Sequence, residues 1–192
     1  MNQVVTHLMN PYDAEIMRKR GVALENVRIV EHFFIPTEKD LDKLSIGLKD
    51  CMEIVDIGSG YGLLINELGK RNPQKKFLGI DTMYWSKNSP VPKAEKNVEF
   101  KFTGIEAMTY DLNTKKRMFD AVICCWMPEC SDWREMLSLL AKKKVILILS
   151  RFFATGTMET YGGMAKFGFD LEKSWISGQS IITIWRKCRK RK

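Results

Sequence analysis

The sequence predicts an α/β fold built on a mostly parallel sheet, and three observations lead to this class. Strand-like and helix-like segments alternate along the 192 residues without internal repeats. The run Val145–Leu149 is apolar throughout, as expected of a strand that is covered on both faces. Two last strand-like segments flank the turn Ser177–Ser180 and predict an antiparallel hairpin at the end of the chain.

The elements follow one another in a simple order. We expect one or two helices in Asp13–Phe34, with inward positions at Ile16, Met17, Val27, Val30 and Phe34. Pro36 interrupts this segment, and Thr37 is placed to cap a helix that buries Leu41, Leu44 and Leu48. Parallel strands are predicted at Met52–Ile57, Lys76–Ile80, Val98–Phe102, Phe119–Cys125 and Lys144–Leu149. The hairpin strands are predicted at Phe167–Ile176 and Ile181–Arg186.

Length and composition favour one domain. A chain of 192 residues with 45% apolar side chains can bury a single sizeable core. We therefore expect one domain over residues 1–192. Within it we expect a helical cap or lid at 1–50, the sheet-containing core at 51–187 and a basic tail at 188–192.

The cysteines and the chain ends bear on location. The five cysteines show neither metal nor disulfide spacing, so we expect reduced thiols in a cytoplasmic protein and no metal site. No signal peptide and no apolar run of membrane-spanning length is visible, so no membrane association is expected. The cysteines are Cys51, Cys124, Cys125, Cys130 and Cys188.

The positive charge is concentrated at the C-terminus. The formal net charge is +8, and six basic residues fall among the last seven positions, which leaves +2 for the rest of the chain. Such a tail suits weak nucleic-acid contact or a nuclear address, and a merely solvated terminus is the alternative. The body of the chain shows no stripe of basic and aromatic residues of the kind that binds nucleic acid.

The segment from Val55 to Gly62 carries the most functional information. It joins a strand to a helix through alternating glycines, which allow a sharp turn and let a ligand lie against bare backbone. Asp56 precedes this turn and favours a cationic or hydroxyl-rich ligand over a pyrophosphate, which it would repel. Asp81 ends the next strand, where a carboxylate can accept both ribose hydroxyls. Together they predict a site for an adenosyl cofactor without phosphates.

This pattern resembles motif I of the Rossmann-like class I S-adenosylmethionine-dependent methyltransferases. In that motif an acid and any residue precede three alternating glycines, matched here by Asp56, Gly58, Gly60 and Gly62, while Asp81 matches the ribose-binding acid. The resemblance covers about Leu41–Lys187. It implies a Rossmann-like, seven-stranded, mostly parallel sheet with helices on both faces and a C-terminal antiparallel hairpin. It also implies S-adenosylmethionine as cofactor and methyl transfer to an unidentified small molecule, protein or RNA.

The resemblance extends to further cofactor contacts beyond the turn. The segment after Asp81 contains Pro90 and Pro92 and lacks an apolar stripe, so we expect a short crossover helix or a loop there. Met83, Tyr84 or Trp85 is expected to contact the adenine or to pack on the sheet. The predicted cofactor-binding residues are Asp56, Gly58, Ser59, Gly60, Tyr61, Gly62, Asp81, Thr82, Met83, Gly104, Ile105, Glu106, Cys125 and Trp126.

The acceptor side is predicted at the loop Cys124–Trp133, because ligands of open α/β sheets sit beyond the carboxyl ends of the strands. This loop matches neither the motif of amino methyltransferases nor that of cytosine-5 methyltransferases. Trp126 and Met127 would form an apolar wall or pack under the next helix, and Ala154–Gly163 is expected to border the pocket. Candidates for a general base are Glu129, Asp132, Tyr161 and His32.

Two other functions stay open at this point. A regulatory module that binds S-adenosylmethionine without catalysis fits the missing acceptor-side motif. An NAD-dependent oxidoreductase is disfavoured by Asp56 and by Leu63, which stands where a dinucleotide fingerprint has its third glycine.

Overall fold

A computed structural model of the protein describes residues 7–9, 19, 21, 27–29, 34–82, 93–104 and 117–188. Two short parallel strands, β1 (His7–Met9) and β2 (Val27–Ile29), pair with each other. The central sheet has seven strands within the described ranges. They are β3 (Glu53–Ile57), β4 (Lys76–Asp81), β5 (Val98–Phe102), β6 (Phe119–Cys125), β7 (Ala141–Ser150), β8 (Phe169–Ser177) and β9 (Ser180–Lys187).

The central sheet is mostly parallel, as predicted. Its strands lie in the order β5-β4-β3-β6-β7-β9-β8. Strands β3 to β7 run parallel to one another, while β9 is antiparallel to both β7 and β8. The strand order reverses between β3 and β6, and such a reversal leaves a crevice beyond the carboxyl ends of those strands. The predicted sheet with a C-terminal antiparallel hairpin is therefore confirmed.

Helices cover both faces of the sheet. Helices α1 (Glu38–Gly47) and α2 (Leu63–Arg71) pack on one face, and α3 (Arg134–Leu140) packs on the other. Side chains alternate along each strand, so that Ile54 contacts the α1/α2 face and Val55 the α3 face. None of the helices in the described ranges has the length and apolarity needed to cross a membrane.

Helix α1 begins where the sequence predicts. The Thr37 hydroxyl accepts the Asp40 N–H at 3.2 Å, and the Asp40 carboxylate accepts the Thr37 N–H at 3.0 Å, which makes a capping box. Asp40 also accepts hydrogen bonds from Trp175 and Ser177 at the end of β8. These bonds attach helix α1 to the sheet. The predicted division of the chain into cap, core and tail stays a prediction.

Two details differ from the sequence prediction. Val27–Ile29 forms strand β2 within Asp13–Phe34, the segment for which one or two helices and no strand are predicted. Strand β7 begins at Ala141, three residues before the predicted start at Lys144. Lys144 is fully buried there. The cost of burying its charge is offset by an Asp50 carboxylate oxygen that lies 2.9 Å from its Nζ. The other predictions for Asp13–Phe34 fall largely outside the described residues.

Candidate cofactor site

The glycine-rich turn between β3 and α2 is attached to the end of β4. The N–H groups of Gly58 and Ser59 donate to the Ile80 carbonyl oxygen at 2.8 and 3.0 Å. The N–H of Gly60 donates to the Asp81 carboxylate at 2.8 Å. Asp81 therefore holds the turn in place as well as standing at its rim. The sequence alone did not indicate this second role.

The three glycines of the turn are required for different reasons. All three have a positive φ, which disfavours other residues. A Cβ on Gly62 would lie 2.1 Å from the Phe100 ring, so Gly62 is needed for packing of α2 against β5. Among the residues that the structure describes, a Cβ on Gly60 would meet nothing within 4 Å, and one on Gly58 would lie 3.6 Å from Trp133. The space left for a ligand is thus in front of Gly60, with Trp133 beside Gly58.

Asp56 and Asp81 lie on the same face of the sheet. Asp56 pairs with Gly79 in the register of β3 and β4, so Asp81 stands two residues further toward the carboxyl edge. Asp56 is 1% exposed and Asp81 is 6% exposed. Among the described residues, Asp56 Oδ1 and Ser59 Oγ are buried without a hydrogen-bond partner. Such a group costs about 1–3 kcal/mol, which a ligand that donates hydrogen bonds would recover.

The electrostatics of the crevice favour a cation. Burial, together with the nearby Asp81, raises the pKa of Asp56 to about 8. The neutral acid therefore predominates in the free protein at pH 7. A positively charged group next to Asp56 would lower this pKa again and stabilise the carboxylate. A phosphate at the same place would keep Asp56 protonated and could form no ion pair with it.

Replacing Asp56 with asparagine is expected to stabilise the free protein by about 5 kcal/mol at pH 8. The pKa of Asp56 rises from 3.8 to about 8 on folding. Between these values the unfolded chain releases this proton and the native state keeps it, so the native state loses stability as the pH rises. Asparagine does not titrate, and its advantage should grow from pH 4 to pH 8 and stay constant above.

Urea unfolding of both proteins at pH 5 and pH 8 measures this difference. Asp42→Asn is the matched control, since the Asp42 side chain is 64% exposed. A gain for Asp56→Asn that shrinks toward pH 8 would contradict the assigned environment.

The opposite wall of the crevice is formed at the end of β6. Burial raises the pKa of Cys125 well above its usual value, and the nearby Asp56 adds to this effect, so the thiol is neutral at pH 7. Trp126 has a φ of 55° and donates its indole N–H to Ser180 Oγ at 3.0 Å. Gly104 and Thr82 follow β5 and β4, where the Thr103 N–H donates to the Asp81 carbonyl oxygen at 2.9 Å. These predicted residues share the carboxyl edge with the turn.

Several predicted site residues lie outside the described part of the chain. They stay predictions, as does the crossover after Asp81. These residues are His32, Met83, Tyr84, Trp85, Ile105 and Glu106.

Two candidate bases already have structural partners. Asp132 accepts two hydrogen bonds from the Arg134 guanidinium at 2.8 and 2.7 Å, which lower its pKa. Arg134 is 2% exposed and also donates to the Gly163 carbonyl oxygen, so this ion pair ties two loops together. The Tyr161 hydroxyl donates to the Ser150 carbonyl oxygen at 2.7 Å. Glu129 is exposed on the loop after β6.

Sequence reasoning missed three residues that shape the site. Phe100 fills the space in front of Gly62, Trp133 lies beside Gly58, and Ser180 anchors the Trp126 indole. Ser180 is 54 positions from Trp126 and belongs to β9, so only the sheet brings the two together. Trp133 stands at the end of the predicted acceptor loop, which is the one signal that could have pointed to it.

Comparison with known proteins identifies the fold. No family model and no curated protein matches the sequence. Human N-acetylserotonin methyltransferase, solved in complex with S-adenosylmethionine, superposes with a TM-score of 0.57 over 78% of this chain at 14% identity. The chain has the class I methyltransferase fold. It spans only about half of that enzyme, covering 52% of its length.

Two other solved structures share the class I methyltransferase fold over more of their length. Magnesium protoporphyrin IX methyltransferase from Synechocystis PCC 6803, with bound S-adenosylmethionine, has a TM-score of 0.55 and 16% identity, with 78% of each chain covered. The N-terminal domain of EvdMO1, solved in the presence of S-adenosylhomocysteine and D-fucose, has a TM-score of 0.55 and 12% identity. That match covers 96% of this chain and 99% of that domain.

Proposed function

We propose that the protein is an S-adenosylmethionine-dependent methyltransferase that transfers the methyl group in line to an unidentified acceptor. One observation carries this proposal. A buried Asp56 oxygen without a partner in the described part of the chain lies near a second acid, Asp81, which accepts the N–H of Gly60. The strand order reverses beside β3, which carries Asp56, and this supports a ligand crevice at the carboxyl edge there.

The residues present fit this cofactor. Asp81 would accept the ribose hydroxyls, and Asp56 with Ser59 would take the cationic and hydrogen-bond-donating end of the ligand. The bare backbone at Gly60 would lie against the adenosyl group. When bound, the cofactor would supply an activated methyl group on its sulfonium, whose sulfur leaves as a neutral thioether. No described residue needs to form a covalent bond.

The chain's own contribution is then to position the acceptor. Alignment of reacting groups can account for about 7–11 kcal/mol of barrier lowering. The ends of β6 and β7 are suited to this task because they lie beside the crevice at the same edge of the sheet. A general base would be needed only for an acceptor that loses a proton.

A catalytically silent cofactor-binding module is the second candidate. It is favoured by the structural partners of Asp132 and Tyr161, which occupy two of the four predicted bases. Labelled S-adenosylmethionine incubated with the protein and with RNA, protein extract and metabolite pools separates the two candidates. Transfer of label to any pool supports the enzyme, and binding without transfer supports the silent module.

Titration calorimetry is expected to show micromolar binding of S-adenosylhomocysteine and no binding of NAD at the same concentrations. The expected difference follows from Asp56, which can form an ion pair with the ammonium group of S-adenosylhomocysteine but not with a pyrophosphate. Binding of NAD without binding of S-adenosylhomocysteine would replace the methyltransferase proposal with the oxidoreductase alternative.

Two of the six basic residues at the C-terminus are part of the sheet and have partners there. Arg186 and Lys187 belong to β9, where Arg186 bonds to Glu172 at 2.8 Å and Lys187 to the Ala141 carbonyl oxygen at 2.9 Å. Residues 189–192 lie outside the described part of the chain. Weak nucleic-acid contact through the tail and a cytoplasmic or nuclear location stay predictions.

A further inference from the structure

Backbone strain is concentrated in the two loops that follow β6 and β7. Within the described ranges, the non-glycine residues with positive φ are Trp126 at 55°, Cys130 at 62° and Phe153 at 59°. Trp126 and Cys130 lie in the β6 loop (residues 126–133), and Phe153 lies in the β7 loop (residues 151–163). Each such backbone conformation is unfavourable for a residue with a side chain, so the surrounding structure must hold it in place.

The two loops are joined into one unit by backbone hydrogen bonds. The Gly156 N–H donates to the carbonyl oxygens of Met127 and Pro128, both at 3.1 Å. In return, the Cys130 N–H donates to the Gly156 carbonyl oxygen at 2.9 Å. Because these bonds run in both directions, the loops keep a fixed relative position.

Tyr161 fixes the β7 loop from inside. Its hydroxyl donates to the Ser150 carbonyl oxygen and lies 3.1 Å from Thr155 Oγ1, which itself accepts the Ser150 N–H at 3.0 Å. The Tyr161 ring packs against Phe153 with centroids 4.6 Å apart. These contacts hold the strained Phe153 backbone.

This rigid unit exposes apolar side chains instead of burying them. Phe152 is 52% exposed, Phe153 is 57% exposed and Met158 is 70% exposed. Tyr161 covers only part of the Phe153 ring, and the exposed surfaces of Phe152, Phe153 and Met158 contribute nothing to the fold, because apolar side chains stabilise it only where they are buried. A binding function explains both features.

The charges of the two loops limit the classes of ligand that this surface can bind. They contain one basic residue, Arg151, and three acidic residues, Glu129, Asp132 and Glu159. A phosphate backbone requires an excess of basic residues, so RNA and DNA are disfavoured. A flat apolar molecule suits exposed phenylalanine rings, which gain from stacking in addition to area burial.

We propose that the β6 and β7 loops form the binding surface for the methyl acceptor, and that this acceptor is a small apolar aromatic molecule contacted by Phe152, Phe153 and Met158. This inference rests on the proposed function. The position of the surface agrees with it, because β6 and β7 end beside the crevice that holds Asp56. Trp126, at the end of β6, connects the crevice with the loops.

The test uses the full chain saturated with S-adenosylhomocysteine and three probes: 1-naphthol, cyclohexanol and a 20-nucleotide oligouridylate. We expect calorimetry to show binding of 1-naphthol in the submillimolar range and at least tenfold weaker binding of the other two. The double variant Phe152→Ala/Phe153→Gly should weaken 1-naphthol at least tenfold. Glycine accepts the positive φ at position 153, so this variant should keep its fold and its affinity for S-adenosylhomocysteine.

Leu139→Ala is the matched control, because Leu139 is 56% exposed on α3, on a different element. It should bind 1-naphthol like the wild type. Equal affinity of the wild type and the double variant for 1-naphthol overturns the acceptor surface while leaving the proposed function intact. Tighter binding of the oligouridylate, or a dimer that the double variant dissociates, also overturns it. Failure of S-adenosylhomocysteine to bind overturns the proposed function itself, and this inference with it.

Discussion

Gly62→Ala is expected to lower the free energy of unfolding by about 3 kcal/mol, the largest stability loss for a single methyl group at this site. The added Cβ would lie 2.1 Å from the Phe100 ring, closer than any real contact. The φ of 72° at this position adds a backbone cost for alanine. Urea unfolding followed by circular dichroism measures the loss.

A double-mutant cycle with Phe100→Ala separates the two causes. Removing the ring frees the space for the new methyl group, so the double variant should lose about 1–2 kcal/mol less than the sum of the single variants. The remaining loss reports the backbone cost. Strict additivity would show that the Phe100 contact is not the reason for glycine at position 62.

Gly60→Ala is the matched comparison, since it changes the same turn by the same methyl group. In the described part of the chain, no atom lies within 4 Å of the position that the added methyl group would take, so only the backbone cost of about 1 kcal/mol is expected in stability. Affinity for S-adenosylhomocysteine should nevertheless fall at least tenfold, because the methyl group enters the proposed ligand space. Unchanged affinity would move the ligand away from Gly60.

Asp81→Asn is expected to weaken S-adenosylhomocysteine about 30-fold, equivalent to about 2 kcal/mol. Asparagine keeps an oxygen that can accept the Gly60 N–H, which Asp81 accepts at 2.8 Å, so the turn should persist. It loses the negative charge that would strengthen hydrogen bonds to the two ribose hydroxyls of the proposed cofactor. Titration calorimetry measures the affinity, and the melting temperature checks the fold.

Asp42→Asn serves as the control for Asp81→Asn. Asp42 is exposed on α1 and pairs with Arg71 on α2. Cofactor affinity should therefore not change in this variant. If Asp81→Asn binds S-adenosylhomocysteine as tightly as the wild type, Asp81 does not bind the ribose. Its role would then be limited to holding the Gly60 backbone.

The local signals of the sequence are reliable where neighbours in the chain decide the structure. The apolar run of β7 predicts a strand covered on both faces, and Thr37 predicts the start of α1. The strand at Val27–Ile29 is not predicted, because the pairing of β2 with β1 depends on residues about 20 positions away. Such a partner leaves no trace in a short window of sequence.

The sequence likewise predicts only those features of the candidate site that short segments define. Residue types and spacing alone suffice to predict the α/β class, the glycine turn and the placement of Asp56 and Asp81 on neighbouring strands. The reason is that a strand, a sharp turn and a strand end are defined by short segments. The individual roles of the glycines emerge only in three dimensions, since Phe100 reaches Gly62 from another strand. The environment of Asp56 also depends on burial by distant elements, and burial controls whether an acid is charged. Packing and desolvation are properties of the whole assembled sheet, which is why they could not be inferred from the order of residues.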